Sequence, residues 1–150
     1  TGALFHTQPE GTNMQFPGLI RDLKRGEEDA VDALLRAAFG GSDEAGLVRR
    51  MRKSGYIAGE QVLPLGDGII GYYAVSRLVN PKGWLALAPV AIAPEWQRRG
   101  LGRRMVGQLS EWARLTRTPV VVLGDPAFYE KAGFRRTSWP SWGEQEWTFP

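Results

Sequence analysis

The 150-residue chain contains no cysteine and a single histidine, His6. The absence of cysteine excludes disulfide bonds, thiolate metal sites and cysteine nucleophiles. One imidazole is too few for a histidine-based metal site or a Ser-His-Asp triad, so we predict no metal centre. A chain without disulfides suits a cytoplasmic protein, which is the location that we predict.

Long apolar segments are also lacking. No run approaches the roughly 18 to 20 residues that cross a bilayer, and the start of the chain has neither the basic beginning nor the apolar core of a signal peptide, so no membrane partner is expected. With 43% hydrophobic and 23% charged residues, the composition is that of a globular protein. We predict a flexible N-terminal arm over residues 1–17 and a single domain over residues 18–150.

Hydrophobic periodicity predicts two helices in the first third of the domain. Apolar residues recur every three or four positions over residues 27–39, which indicates a helix that Gly40 ends. Ser42 is then expected to be the N-cap of a second helix that ends at Gly55.

Strands are predicted in the segments that surround and follow these helices. The predicted strands cover residues 19–23, 58–65, 69–79 and 84–93. A Gly-Asp-Gly sequence at residues 66–68 indicates a hairpin turn between the second and third of them. Pro89 removes a backbone donor from the last strand, which predicts a bulge or a local separation from the neighbouring strand.

The segment after this last strand is the most informative part of the chain. It reads Gln97-Arg-Arg-Gly-Leu-Gly-Arg103, here called the glycine loop, and continues into an amphipathic helix whose Met105, Leu109 and Trp112 are expected in the core. Glycines permit close approach of a ligand, and the first amides of a helix attract anions, so a diphosphate is the expected ligand. Taken alone, two such glycines are more typical of a tight strand-to-helix connection.

A second motif, Leu123-Gly-Asp-Pro-Ala-Phe-Tyr129, follows a further apolar strand and places a tyrosine in a short helix. Together with Pro89-Val-Ala-Ile-Ala-Pro-Glu-Trp-Gln97, it resembles the GNAT superfamily of N-acetyltransferases and, within it, the YhbS-like branch. The resemblance implies an α/β (α+β) fold in which a mixed β-sheet with splayed central strands is flanked by helices. It spans roughly residues 19–137, with specific motifs only in residues 84–134.

The resemblance also implies a function and a set of site residues. The chain would use acetyl-CoA to acetylate a primary amine, of a small molecule or a peptide, by direct transfer; a homodimer is left open as the assembly. Tyr129 matches the tyrosine that donates a proton to the departing sulfur, with Asp125 and Pro126 capping and opening its helix. The residues that would bind acetyl-CoA are Val90, Ala91 and Ile92 on the strand and Gln97, Arg98, Arg99, Gly100, Leu101, Gly102 and Arg103 in the glycine loop.

The general base and the acceptor side are not identified by the sequence. Residues 84–93 carry no Glu, Asp or His, so deprotonation of the amine must come from another part of the chain or from water. The tryptophan-rich residues 138–147 are predicted either to shape an aromatic pocket for the amine or to cover an edge of the sheet. The candidate bases are Glu44, Glu60, Tyr72, Tyr73, Glu144 and Glu146.

Two functions of other classes remain open from the residues. A non-catalytic acyl-CoA-binding sensor would account for the missing strand carboxylate. A basic nucleic-acid-binding domain would account for the arginine clusters at residues 49–53 and 98–104. The net charge of +3 is modest for a nucleic-acid binder, so no nucleic-acid partner is predicted.

Overall fold

The computed structural model describes residues 17–135, and everything stated below refers to them. Almost all of the predicted arm, together with Trp139, Trp142, Glu144, Glu146 and Trp147, therefore lies outside the described residues. A single 3-10 turn at Pro94–Trp96 precedes the glycine loop. In chain order the helices and strands are β1 (Arg21–Asp22), α1 (Glu28–Phe39), α2 (Asp43–Ser54), β2 (Ile57–Leu65), β3 (Gly68–Arg77), β4 (Leu85–Ile92), α3 (Leu101–Thr116), β5 (Val120–Val121) and α4 (Pro126–Lys131).

These elements confirm the predicted helices and strands to within a few residues at their ends. Both early helices end at a glycine in the left-handed conformation, Gly40 with φ 73° and Gly55 with φ 77°. Ser42 occupies the predicted N-cap of α2, although its side chain makes no capping hydrogen bond. Gly66 and Asp67 form the two-residue turn between β2 and β3.

The five strands form one sheet in the order β1-β2-β3-β4-β5. The first four are antiparallel neighbours, and β5 is parallel to β4 because α3 carries the chain back across the sheet. The sheet is therefore mixed, as predicted.

Helices cover both faces of this sheet. A Cβ built at Gly71 would meet the sulfur of Met105 in α3, whereas the hydroxyl of the adjacent Tyr72 bonds to Glu60, which in turn accepts from Arg52 of α2. Because neighbouring residues of a strand point to opposite faces, α2 and α3 lie on opposite sides. The largest fully buried side chains are Tyr72, Leu35, Leu63, Met105, Val31, Val48, Val62 and Val106.

A bulge interrupts β4 where the proline predicted one. Leu87 pairs with Val75 and Val90 with Tyr73, so two residues of β4, Ala88 and Pro89, face a single residue of β3. One extra residue on one strand is the definition of a β-bulge, and it bends the strand that carries it.

The strands β4 and β5 separate soon after they meet. They pair only at Leu85 with Val120 and at Ala86 with Val121. From residue 87 onward, no strand within the described part of the chain lies on that side of β4. The predicted splayed sheet is thereby confirmed, and the opening is where a ligand can reach the backbone of β4.

The prediction that Trp112 lies in the core is wrong. Met105 and Leu109 are buried on the inner side of α3, but Trp112, one turn further on, is 44% exposed. Helical periodicity places Trp112 on the inner side, yet an indole needs more covering surface than residues 17–135 supply to the last turns of α3. Val120 and Val121 are half-buried, so β5 is also less enclosed than its sequence indicates.

Candidate functional site

A cavity of about 690 Å³ lies in the opening between β4 and the segment that follows β5. Three parts of the chain form it: the end of β4, the glycine loop with the start of α3, and the start of α4. Most of the predicted site residues meet here. The lining residues are Val90, Ile92, Trp96, Gln97, Arg98, Gly100, Leu101, Gly102, Arg103, Gly124, Asp125, Phe128 and Tyr129.

The register of β4 determines which backbone groups face the cavity. The amide of Ala93 donates to the carbonyl of Ile70 on β3, so the backbone groups of Ala91, two residues earlier, also turn toward β3. Those of Val90 and Ile92 turn the other way, into the opening. The side chain of Ala91 is buried outside the cavity lining, so of the three predicted strand residues only Val90 and Ile92 present groups to the opening.

The glycine loop is attached to the end of β4 by a side chain. Nε2 of Gln97 donates to the carbonyl oxygen of Ile92 at 2.9 Å, which uses the one cavity-facing carbonyl nearest the loop. The first backbone hydrogen bond within α3 runs from Arg104 to Gly100, so the preceding amides have no partner inside the helix. These amides and the positive end of the helix dipole make the loop a site for an anion.

The two glycines of the loop are under different constraints. Gly100 has φ 80°, a left-handed conformation that a residue with a side chain adopts only under strain. A Cβ at Gly102 would meet Phe128 at 3.5 Å and Ile92 at 3.7 Å, both ordinary contacts. An alanine therefore fits at Gly102 in the protein alone, and glycine there leaves room for a ligand.

The arginines of this region are arranged unevenly. Arg98 and Arg103 are exposed and line the cavity, and Arg98 has φ 63° although it is not glycine. Arg99 instead places its guanidinium 4.6 Å from the ring centre of Trp96, and Arg104 donates to the carbonyl of Gly18. Of these four arginines, only Arg98 and Arg103 therefore lie at the cavity.

Tyr129 lines the same cavity as the glycine loop and is half-buried. Its ring makes edge contacts with Phe128, at a centroid distance of 4.9 Å, and with Phe134, at 5.8 Å. A tyrosine hydroxyl is protonated at neutral pH, and burial raises the pKa of this one further. Tyr129 can therefore act as a proton donor in this position.

The predicted construction of the helix that carries Tyr129 is confirmed. Asp125 is the N-cap of α4, and its carboxylate accepts from the amide of Ala127 at 3.1 Å. Pro126 is the first residue of the helix, where its missing donor costs nothing. Asp125 also lines the cavity, but its carboxylate is engaged by the helix.

None of the candidate bases within residues 17–135 lines this cavity. Glu60 accepts hydrogen bonds from Arg52, at 2.7 Å, and from the hydroxyl of Tyr72, at 2.6 Å. Burial and this carboxylate raise the pKa of Tyr72. Burial also raises the pKa of Tyr73, to about 12. These groups, like Glu44, lie away from the cavity and do not identify a base.

Besides Asp125, which was predicted as a helix cap, three residues of the lining were not predicted as site residues. Trp96, Gly124 and Phe128 reach the cavity from the 3-10 turn and from the second motif. Because Trp96 directly precedes the glycine loop, its place in the cavity lining could have been predicted from the sequence. Phe128 and Gly124 depend on how α4 packs against α3, which no local pattern reports.

The described residues give two further negative findings. Between residues 17 and 135, no helix is long and apolar enough to cross a membrane. Over the same range, no group of three or more His, Cys, Asp or Glu residues is placed to hold a metal ion.

Comparisons with known proteins identify similar chains. A family model of the acetyltransferase (GNAT) domain matches residues 52–136. The uncharacterized N-acetyltransferase YhbS of Escherichia coli strain K12 is 35% identical, and the similarity covers 73% of each chain. The crystal structure of YhbS from Escherichia coli in complex with CoA has a TM-score of 0.73 at 32% identity, covering 91% of this chain and 79% of that one.

The same fold is found in a more distant structure. A GNAT family acetyltransferase from Brucella melitensis, in complex with acetyl-CoA, has a TM-score of 0.72 at 22% identity. The match covers 83% of this chain and 85% of that chain, and at this identity it supports the fold alone.

Proposed function

Because the chain belongs to the GNAT acetyltransferase family, we propose that the opening between β4 and β5 is the acetyl-transfer site and that Tyr129 is its general acid. The chain is an N-acetyltransferase that takes its acetyl group from acetyl-CoA, and the predicted resemblance to the family and its YhbS-like branch is confirmed. One observation carries the proposal. The glycine loop, the unpaired edge of β4 and Tyr129 all line one cavity.

The residues present fit acetyl-CoA at both ends of this cavity. The free amides of the glycine loop, with Arg98 and Arg103 beside them, would hold the diphosphate. The carbonyl of Val90 and the amide of Ile92 would pair with the amide groups of the pantetheine arm, as a neighbouring strand would. The half-buried side chains of Leu101 and Phe128 would cover its apolar parts.

The chemical step then needs two groups from the protein. The cofactor supplies an activated thioester carbonyl, whose carbon is attacked by the nitrogen of a neutral amine. A backbone N–H of β4, for which Val90 is the candidate because Pro89 has none, would stabilise negative charge on the carbonyl oxygen. As the carbon–sulfur bond breaks, the hydroxyl of Tyr129 would give its proton to the sulfur, and the proton released by the acylated nitrogen would pass through water and return to the tyrosinate.

The acceptor is proposed only as a class. A primary amine on a small molecule or a peptide is the acceptor predicted from the sequence, and the described residues add no carboxylate that would select among such amines. A cytoplasmic location and a homodimer stay predictions.

Calorimetric titration tests the cofactor site. We expect acetyl-CoA and CoA to bind with dissociation constants in the micromolar range, and 3′-dephospho-CoA to bind more weakly if Arg98 or Arg103 reaches the 3′-phosphate. Absence of binding by all three ligands to folded protein would contradict the proposed site.

Substitution of Tyr129 tests the chemistry. Tyr129→Phe should lower kcat by about 100-fold, because it removes one proton donor, and leave the Kd of acetyl-CoA within about twofold. Turnover is followed by thiol release with a panel of spermidine, tryptamine and an alanine-initiated peptide. Tyr56→Phe, which removes the same atom outside the cavity, is the matched control. Equal kcat in the two variants would remove Tyr129 from the mechanism.

A further inference from the structure

We infer that Gly124 is a positioning residue for Tyr129. Its missing side chain is what allows the tyrosine ring to lie where it lines the cavity. The inference deepens the proposed function and rests on it, since it matters only if Tyr129 acts in the reaction. Gly124 belongs to the second motif, but the sequence pattern gives no reason why this position has no side chain.

Space at Gly124 is taken up by the ring of Tyr129. A Cβ built at Gly124 would lie 2.5 Å from Cε2, 3.3 Å from Cδ2 and 3.4 Å from Cζ of that ring. Cε2 and Cζ belong to the end that carries the hydroxyl. Ordinary contacts begin at 3.4 Å, so the ring would have to move by roughly 1 Å to accept a methyl group.

The backbone does not explain the glycine. Among the glycines of the described residues, seven have positive φ values, and Gly124 is not one of them. An alanine could therefore adopt the backbone conformation of Gly124 without strain. The contact with Tyr129 alone excludes a side chain at this position.

Aromatic neighbours pack against the ring of Tyr129 on two sides, which leaves the cavity as a side toward which the ring can move. Phe128 contacts it edge-on at an interplanar angle of 90°, and Phe134 does so at 77°. The amide of Phe134 also donates to the carbonyl of Tyr129 at 2.9 Å, which fixes the backbone on that side. Because close-packed side chains transmit a displacement, a methyl group at Gly124 would shift the hydroxyl.

A shift of this size is large for a proton donor. The hydroxyl must lie within hydrogen-bond distance of the sulfur, and a misplacement of about 1 Å in an active site can cost about 100-fold in rate. The same shift leaves the glycine loop and the edge of β4 in place. Gly124 should therefore act on kcat and spare the binding of the cofactor.

Four variants test the inference: Gly124→Ala, Tyr129→Phe, the combination of both, and Gly107→Ala as the control. A Cβ at Gly107 in α3 would meet nothing closer than 3.9 Å, and Gly107 does not line the cavity. We expect Gly124→Ala to lower kcat at least about tenfold, with the Kd of CoA within about twofold. In the Tyr129→Phe background the same substitution should change kcat by less than about twofold. Gly107→Ala should match the wild type.

The outcomes separate this inference from the proposed function. If Tyr129→Phe retains full turnover, the role of Tyr129 as the acid fails, and that of Gly124 fails with it. If Tyr129→Phe is impaired while Gly124→Ala keeps full kcat, or lowers kcat equally with and without the tyrosine hydroxyl, only the role of Gly124 is overturned.

Two further results would also overturn it. A raised Kd of CoA with unchanged kcat would mean that Gly124 makes room for the ligand. If Gly124→Ala does not fold, Gly124→Ala/Tyr129→Ala removes the ring and should restore the thermal midpoint. Failure of the double variant to fold as well would give the glycine a structural role instead.

Discussion

The charged side chains around α1 and α2 differ from those of the glycine loop in the partners that they have. Arg21 pairs with Glu27 at 2.8 Å, and Arg52 pairs with Glu60 at 2.7 Å. Arg98, in contrast, makes no ion pair with any residue in the part of the chain that the structure describes. The same is true of Arg103.

This difference separates charges that hold the fold from charges that are left for a ligand. A paired guanidinium has its donors satisfied by carboxylates of the same chain, and its removal is felt as lost stability. An unpaired one beside free helix amides adds positive potential for an incoming phosphate, and its removal is felt as lost affinity. The four predictions that follow test this division, from the largest expected effect to the smallest.

The largest effect is expected at Gly100. Gly100→Val should raise the Kd of CoA at least about 100-fold, because a β-branched residue strains a left-handed position by about 1 to 3 kcal/mol and turns the loop amides away from the ligand. Gly40→Val is the matched control, since Gly40 also has a positive φ and open space around its Cα. Both variants should lose similar unfolding free energy in urea, and equal CoA affinity would refute a special role for Gly100.

The next effect is expected at Glu60. Glu60→Gln should lower the free energy of unfolding by about 2 kcal/mol, because it leaves the guanidinium of Arg52 without a counter-charge and weakens the acceptor for the buried Tyr72. The Kd of CoA should not change. Glu44→Gln is the control with the same chemical change on α2. A loss of CoA affinity in Glu60→Gln would show that the two sets of charges are not separate.

Smaller effects are expected from the arginines of the loop. Arg98→Gln and Arg103→Gln should each raise the Kd of CoA by about three- to tenfold at low salt and by less at high salt, because the attraction is screened. The unfolding free energies of both variants should stay at the wild-type value. Arg50→Gln on α2 is the control, and its Kd of CoA should also equal that of the wild type. A marked loss of stability in either loop variant would mean that its guanidinium already has a structural task.

The smallest effect concerns the pH dependence of stability. Hydrogen bonds from Arg21 and from the amide of Lys24 lower the pKa of Glu27 to about 2, below its ordinary value of 4.5. A lowered folded-state pKa means that Glu27 stabilises the protein fully above the ordinary pKa and loses this contribution as the pH falls toward 2. Urea unfolding at pH 7 and pH 3 should show a smaller difference for Glu27→Gln than for the wild type. If the wild type and Glu27→Gln lose the same free energy of unfolding between pH 7 and pH 3, the pair of Arg21 and Glu27 does not contribute to stability.

Much of the architecture could be predicted because it is encoded locally. Helical periodicity, the Gly-Asp turn after β2 and the position of Pro89 each act over a few residues, and each was confirmed. The glycine loop and the cap of α4 were found for the same reason. Trp112 was misjudged because periodicity gives the direction of a side chain but not the amount of surface that covers it.

The finer geometry of the site depends on tertiary packing rather than on local sequence pattern. Which residues of β4 face the opening depends on their pairing with β3, and the bulge at Pro89 resets that pairing. The contact between Gly124 and Tyr129 joins residues only five positions apart, but it depends on how the tyrosine ring packs against Phe128 and Phe134. Neither can be read from spacing along the chain.

Within residues 17–135 no strand pairs with β4 beyond Ala86 on the side of β5, and this open edge also affects how the protein behaves toward other molecules. An unpaired strand edge accepts any extended chain, so the strand of another molecule competes with acetyl-CoA for the same backbone groups. The positive charges of Arg98 and Arg103 at the end of this edge repel a second copy. We therefore expect the tendency of this protein to aggregate to fall as the supply of its cofactor rises.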